Sequence, residues 1–290
     1  MNIVQPFFIG CAIWAYKDWI GDLFPTGSKS ADLLRLYSRR LTTVEGNTTF
    51  YATPKPEVVA RWAAETPEEF RFCFKLPREV SHSGPLVPQL PATHAFVERL
   101  APLGARLGPF FLQLPPGYGP QRYDDLARWL AAWPSSSASA SKCATRLVCA
   151  RGEAQLMALL EQHNAGRVVM DVRPIREEGQ DGAELLDDAR ERKPDVPLRP
   201  IYSSDFTLIR YIGNPDYTVN EPFLDEWAAR IAQWLHDGVT VYAFMHCPDE
   251  ARSPALCRAL YQRLAALTTL PPLPWDEADG GSVEQTSMFG

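Results

Sequence analysis

Eight short runs rich in Val, Ile and Phe recur along the chain, each followed by a longer segment whose apolar residues return at helical spacing. This alternation constrains the fold more than any other feature, because strands separated by helices are βα units that assemble a parallel sheet. The strand segments are PFFIGCA, TTVEGNTTF, FRFCFKL, PFFLQL, TRLVCA, RVVMDV, TLIRYIG and VTVYAFMH. The helical segments are SADLLRLYSRRL, PEVVARWAAE, THAFVERLAPLGARL, YDDLARWLAAW, EAQLMALLEQHN, AELLDDARERK, FLDEWAARIAQWLHDG and SPALCRALYQRLAAL. Eight such pairs in a chain of this length fit a closed (β/α)8 barrel better than an open doubly wound sheet. The expectation is therefore an α/β chain with one TIM-barrel-like domain over residues 1–270 and a flexible tail over residues 271–290. No GxGxxG opens the first unit and no phosphate loop ends in GKS or GKT, which disfavours a nucleotide-binding sheet.

The net charge of -6 argues against a protein that coats nucleic acid or membrane nonspecifically, although it leaves room for a local basic cleft. Six cysteines without CxxC spacing, most within apolar runs, read as buried free thiols of a reducing cytoplasm rather than as a disulfide framework or a structural zinc site. The first residues, MNIVQPFFIGCAIW, lack the basic start of a secretory signal, and no apolar run is long enough to span a bilayer. A cytoplasmic protein without a membrane partner is expected.

In a barrel, the residues at the carboxyl ends of the strands and in the loops just after them converge on one mouth. Two proline- or glycine-punctuated stretches belong there: KLPREVSHSGPLVPQLPA after the third strand and RPIREEGQDGA after the sixth. PSSSASASK belongs to the opposite rim as a solvated linker. The side chains delivered to the mouth are Trp14 and Tyr16, then Glu45, Asn47 and Tyr51, then Lys75 and His82, then Gln113. The later units add Arg151, Asp171 with Arg173, Arg210, and His246. Lys75, Arg151, Arg173 and Arg210 come from different units and together would make a positive pocket in an acidic protein. Guanidinium forks match phosphate geometry, so a phosphate-bearing anion is the expected ligand. The competing reading pairs some of these arginines with Glu45 and Asp171 as structural ion pairs at the barrel end.

Glu45 at a strand end suits a general base, a metal ligand or a partner of Arg or Lys, with Asp171 as its companion and His82 as a further candidate for catalysis. His82 serves equally well as a staple of its loop. A divalent-metal site built from Glu45, Asp171 and His246 is chemically reasonable, yet no HxH or HExxH spacing supports it, and no cofactor is expected. Trp14 and Tyr16 suit stacking on the organic part of a ligand. No GxSxG elbow occurs, so acyl chemistry at a serine has little support.

Five blocks, WAYKDW, VEGNTTFYATP, FCFKLPREVSH, LGPFFLQLPPGY and DEWAARIAQWLHDGVTVYAFMHCPDEARSPALCRAL, resemble in order and interval the YecE-like domain-of-unknown-function family, number 72. The resemblance implies a TIM-barrel-like fold and no established reaction. It carries over Trp14, Tyr16, Glu45, Asn47, Thr49, Phe50, Tyr51, Lys75, His82, Gln113, Pro115, Pro116 and Arg151. Where that family commonly shows Glu-x-Arg-His at strand five, this chain has Cys149 and Gly152 around Arg151. At strand seven, Arg210 is followed by Ile212 in place of His, and Met245-His246 stands where an Asn pair is usual. If the missing groups do acid-base work in that family, this branch has changed or lost that reaction, with weak or no metal dependence expected, while the anion-binding cations remain.

The chain closes with QTSMFG after an acidic, glycine-containing spacer. Gln285, Met288 and Phe289 resemble the short peptide by which bacterial replication and repair proteins dock on the sliding clamp, an extended segment that places two apolar side chains in a partner's pocket. The expected function is a barrel enzyme, a hydrolase or lyase, acting on a phosphate-bearing substrate and recruited to DNA repair through its tail. The alternatives are a noncatalytic adaptor binding an anion or nucleic acid, or a phosphosugar enzyme unrelated to DNA.

Overall fold

A computed structural model describes residues 7–134, 142–146, 152–179, 182–195 and 197–276. Its strands are β1 (Phe7–Cys11), β2 (Thr43–Gly46), β3 (Arg71–Phe74), β4 (Phe110–Gln113), β5 (Cys143–Arg146), β6 (Gly166–Asp171), β7 (Phe206–Ile212) and β8 (Thr240–His246). The helices are α1 (Leu33–Tyr37), α2 (Pro56–Glu65), α3 (Arg78–Ser81), α4 (Leu90–Leu100), α5 (Tyr123–Ala131), α6 (Glu153–Gln162), α7 (Ala183–Arg192), α8 (Tyr217–His236) and α9 (Ser253–Ala265). Every strand pairing is parallel, in the order β1-β8-β7-β6-β5-β4 with β2-β3 beside it. The chain is thus the expected α/β, TIM-barrel-like fold.

Two seams join the strand pair to the six-stranded sheet. Between β3 and β4, single bridges link Phe72 with Leu107 and Lys75 with Phe111. Between β1 and β2 the backbones are joined largely through side chains. Thr42 Oγ1 accepts from Ile9 N–H at 2.8 Å, and Tyr37 Oη accepts from Cys11 N–H at 2.6 Å while donating to Thr43 O at 3.0 Å. Tyr37 is fully buried, so its hydroxyl satisfies a strand donor and a strand acceptor that water does not reach.

Strand parity sorts the side chains into two layers. Phe8, Cys73, Phe111, Ala144, Val168, Phe206, Leu208, Tyr242 and Phe244 fill the barrel interior. The alternate residues, such as Ile9, Val44, Phe72, Phe110, Val169, Ile209 and Val241, face the helices in one continuous outer core. Glu45 pairs beside Cys73, Arg210 beside Phe244 and His246 beside Ile212, so all three side chains share the inward parity at the carboxyl end. The five described cysteines are free and buried.

Three details depart from the sequence reading. Helix α8 begins at Tyr217, before Pro222, because Asp216 caps it by accepting from Thr218 N–H, and a proline in the early turns removes one backbone bond only. Leu273 and Trp275 are buried in the outer core, so the packed chain extends past residue 270. Helix α7 carries too few apolar residues to cover a sheet flank, with Leu186 and Ala189 the ones buried among its described side chains, and lies instead beside the strand ends Ile212 and His246. Its small cluster of Met170, Val172, Ile175, Leu186, Ala189 and Ile212 is separate from the main core.

Replacing Tyr37 with Phe should strand the Cys11 amide and the Thr43 carbonyl at the seam. A loss of about 1–3 kcal/mol is expected, read from the urea midpoint against wild type. An unchanged midpoint would show that the seam does not depend on the hydroxyl.

Candidate active site at the barrel mouth

The deepest charged group in the mouth is Glu45, on β2 and fully buried. Arg210 of β7 reaches it across the barrel in a bidentate pair, Nε to Oε2 at 2.7 Å and Nη2 to Oε1 at 2.8 Å, with its guanidinium over the Phe111 ring. Burial pushes the Glu45 carboxyl upward, but Arg210, and then His246, outweigh it and hold the group well below the carboxylate range. Removing Arg210 would leave a buried carboxylate without its counter-ion, a change that costs about 3–5 kcal/mol in typical cases.

His246, at the end of β8, places Nε2 3.4 Å from Glu45 Oε2 without the alignment of a hydrogen bond, and that buried atom has no other partner among the described residues. Burial lowers its pKa to about 4, with Glu45 opposing and Arg210 reinforcing the shift, so the imidazole is neutral at pH 7. Beside it opens a cavity of 260 Å3 walled by Ile212, His246, Cys247, Pro248 and Glu250 on the barrel side and by Leu185, Asp188, Ala189, Arg192 and Lys193 on the side of α7. Glu250 is pushed up to about 7 by burial, against the Ser253 hydroxyl, which donates to it at 2.9 Å, and against Lys193. Its backbone carbonyl accepts from Trp19 Nε1 at 2.9 Å, which fixes the turn.

Glu45, Arg210 and His246 are brought together as the sequence reading expected, but the Arg210 fork is engaged by Glu45. Lys75 lies with its ammonium 3.8 Å over the Phe50 ring, and burial first, then Lys75, lowers the pKa of His82. His82 Nδ1 lies 2.7 Å from Ser81 Oγ. Asn47 donates to Ala12 O, Gln113 ends β4, Tyr16 packs against Trp19, and Tyr51 is exposed. Trp14 packs edge-on against Trp62 and Phe72 on the helix side.

Asp171 and Arg173 do not join the mouth. Asp171 has the outward parity of β6. It accepts from Arg173 Nε and Nη2 at 3.0 and 2.9 Å and from Trp227 Nε1 at 2.8 Å, while Arg173 also pairs with Glu226 on α8. Asp171 is therefore neither Glu45's companion nor a member of a metal set with Glu45 and His246. Among the described residues no three His, Cys, Asp or Glu side chains gather in a ligand arrangement. Arg151, Cys149, Gln285, Met288 and Phe289 lie outside the described residues. Glu250 and Lys193 were not among the residues expected at the site; the one local signal in the sequence is Ser253 three residues after Glu250, the spacing of a turn-capping pair.

A profile of the family described as "Protein of unknown function DUF72" matches residues 8–278. The chain belongs to the DUF72 family. It is 36% identical over 284 residues to UPF0759 protein YecE of Escherichia coli strain K12, covering 97% of this chain and 99% of that protein. Identity to the same-named protein of Escherichia coli O157:H7 is 35% over 97% of this chain and 99% of that protein. A crystal structure of a DUF72 family protein from Thermotoga maritima is similar at 18% identity with a TM-score of 0.64, over 90% of this chain and 99% of that one. Another, from Enterococcus faecalis, gives 17% identity and 0.65 over 92% and 98%. At these identities the solved structures speak for the fold alone. Among the described residues no helix is long and apolar enough to cross a membrane.

The opposite shifts of His246 and Glu250 predict a compensated pH profile. His246 drops from 6.5 to about 4, so between those values the unfolded chain binds more protons and stability is lost as pH falls. Glu250 rises from 4.5 to about 7, so between those values the folded chain binds more protons and stability is lost as pH rises. Glu250→Gln should expose the histidine slope, a gain of about 2–3 kcal/mol from pH 4 to 6.5, and His246→Gln should expose the opposite one. Urea unfolding at a series of pH values measures both; parallel profiles for wild type and Glu250→Gln would refute the assignment.

Proposed function

We propose that the mouth binds a small phosphate-bearing anion and performs general acid-base chemistry on it, in the manner of a hydrolase or lyase. The observation that carries the reading is Glu250. It is a largely buried carboxyl on the wall of a cavity at the carboxyl ends of the strands, titrating about pH 7, where a proton is given or taken with least cost. Lys193 and Lys75 supply positive potential on two sides of the mouth, and Arg210, held by Glu45, keeps the floor rigid. Neutral His246 adds a ring nitrogen without competing charge. A noncatalytic adaptor would use the same cations, and salt-dependent binding without turnover would mark it.

Sulfate tests the anion site, because it mimics phosphate without titrating in this range. Its affinity should fall as pH rises through about 7, when Glu250 ionises, and Glu250→Gln should remove that dependence. Lys193→Ala should weaken sulfate by about 1–3 kcal/mol by calorimetry. A pH-independent affinity in wild type, or no binding, would defeat the reading.

A second reading rests on the sequence Gln285-Thr286-Ser287-Met288-Phe289 and places the protein at DNA repair through the sliding clamp. A peptide of residues 280–290 should bind the bacterial clamp with a dissociation constant on the order of micromolar, and Gln285→Ala with Phe289→Ala should abolish it. Absence of binding by the wild-type peptide would remove the link to DNA and favour a phosphosugar substrate.

A further inference from the structure

We propose that the rim formed by the loops after β2 and β3 is a subsite for a planar ring, so that the anion bound in the mouth carries an aromatic or heteroaromatic group. The inference rests on the anion reading of the mouth. Tyr51 is 82% exposed, more than any other large apolar side chain among the described residues. A single exposed aromatic is ordinary on a protein surface. This one is not isolated. The Phe50 ring meets it edge to face at 5.2 Å and 87°, and Lys75 Nζ sits over Phe50 at 3.8 Å. The His82 ring also meets Phe50 edge to face, 5.2 Å away at 82°.

The platform beneath Tyr51 is stiff. Thr49 Oγ1 lies 2.7 Å from both Gly46 O and Lys75 O, tying the loop after β2 to the end of β3, and Tyr51 N–H donates to Thr48 O at 3.0 Å. A tyrosine on a rigid turn has only its own two torsions to lose on stacking, so the ordering cost is small. Burial first, then the charges of Lys75 and Arg78, lower the pKa of His82, so the positive potential of this rim extends beyond Lys75 alone. A flat apolar face bordered by positive charge is complementary to an anion attached to a ring, and poorly matched to an aliphatic anion.

The test compares phenyl phosphate with methyl phosphate, both largely monoanions at pH 5 and different in the ring, by calorimetry on the full chain at that pH, where Glu250 is protonated. Phenyl phosphate should bind roughly ten-fold tighter, Tyr51→Ala should erase that advantage without changing methyl phosphate, and Tyr51→Phe should keep it. Equal affinities, or an advantage that survives Tyr51→Ala, would overturn the ring subsite while leaving the anion reading intact. If neither ester binds, the anion reading of the mouth fails and the subsite falls with it. Tyr51 makes few burial contacts, so the variant should fold, and an unchanged thermal midpoint will verify that.

Discussion

The ion pair between Glu45 and Arg210 is the constraint on which the mouth depends. A carboxylate with no solvent exposure survives ionised only because a guanidinium holds both oxygens, and that guanidinium comes from a strand on the other side of β1 and β8. The pair thus ties β2 to β7 above the apolar filling of the barrel. It also sets the potential felt by His246, whose neutrality follows from burial beside a charge balance that is already complete. Glu250 feels the residual field of Glu45, on top of its own burial, and this contributes to its proton affinity near neutrality.

Much of this was legible in the chain. The eight βα units, the strand ends and the gathering of Glu45, Arg210 and His246 follow from apolar runs and their spacing, and the resemblance of five sequence blocks to a barrel family pointed the same way. What the chain could not reveal was which way Asp171 turns. RVVMDV is apolar almost throughout, as a strand covered on both faces must be, so its pattern carries no period-two signal to separate inside from outside. The arginine two residues later completed an outward network with Trp227 and Glu226 that only the docking of α8 creates.

Glu250 was illegible for a different reason. Its position in a polar turn reads as solvent-facing, whereas the fold brings distant parts of the chain to it: Trp19 of the first loop onto its backbone carbonyl and the α7 segment to the other wall of its cavity. Desolvation is a property of the assembled fold, so a carboxyl of shifted pKa has no local signature beyond a capping serine.

The placement of α7 has a bearing on how such a barrel diversifies. One wall of the cavity is a ten-residue helix fastened by a satellite cluster and not by the main core, so the outer core draws little on its sequence. Insertions, deletions or exchanges in that segment leave strand register and ring packing as they are, and alter only the room left above His246. Ligand size is thereby uncoupled from barrel stability, and members of one architecture are free to differ in what they hold while sharing how they fold.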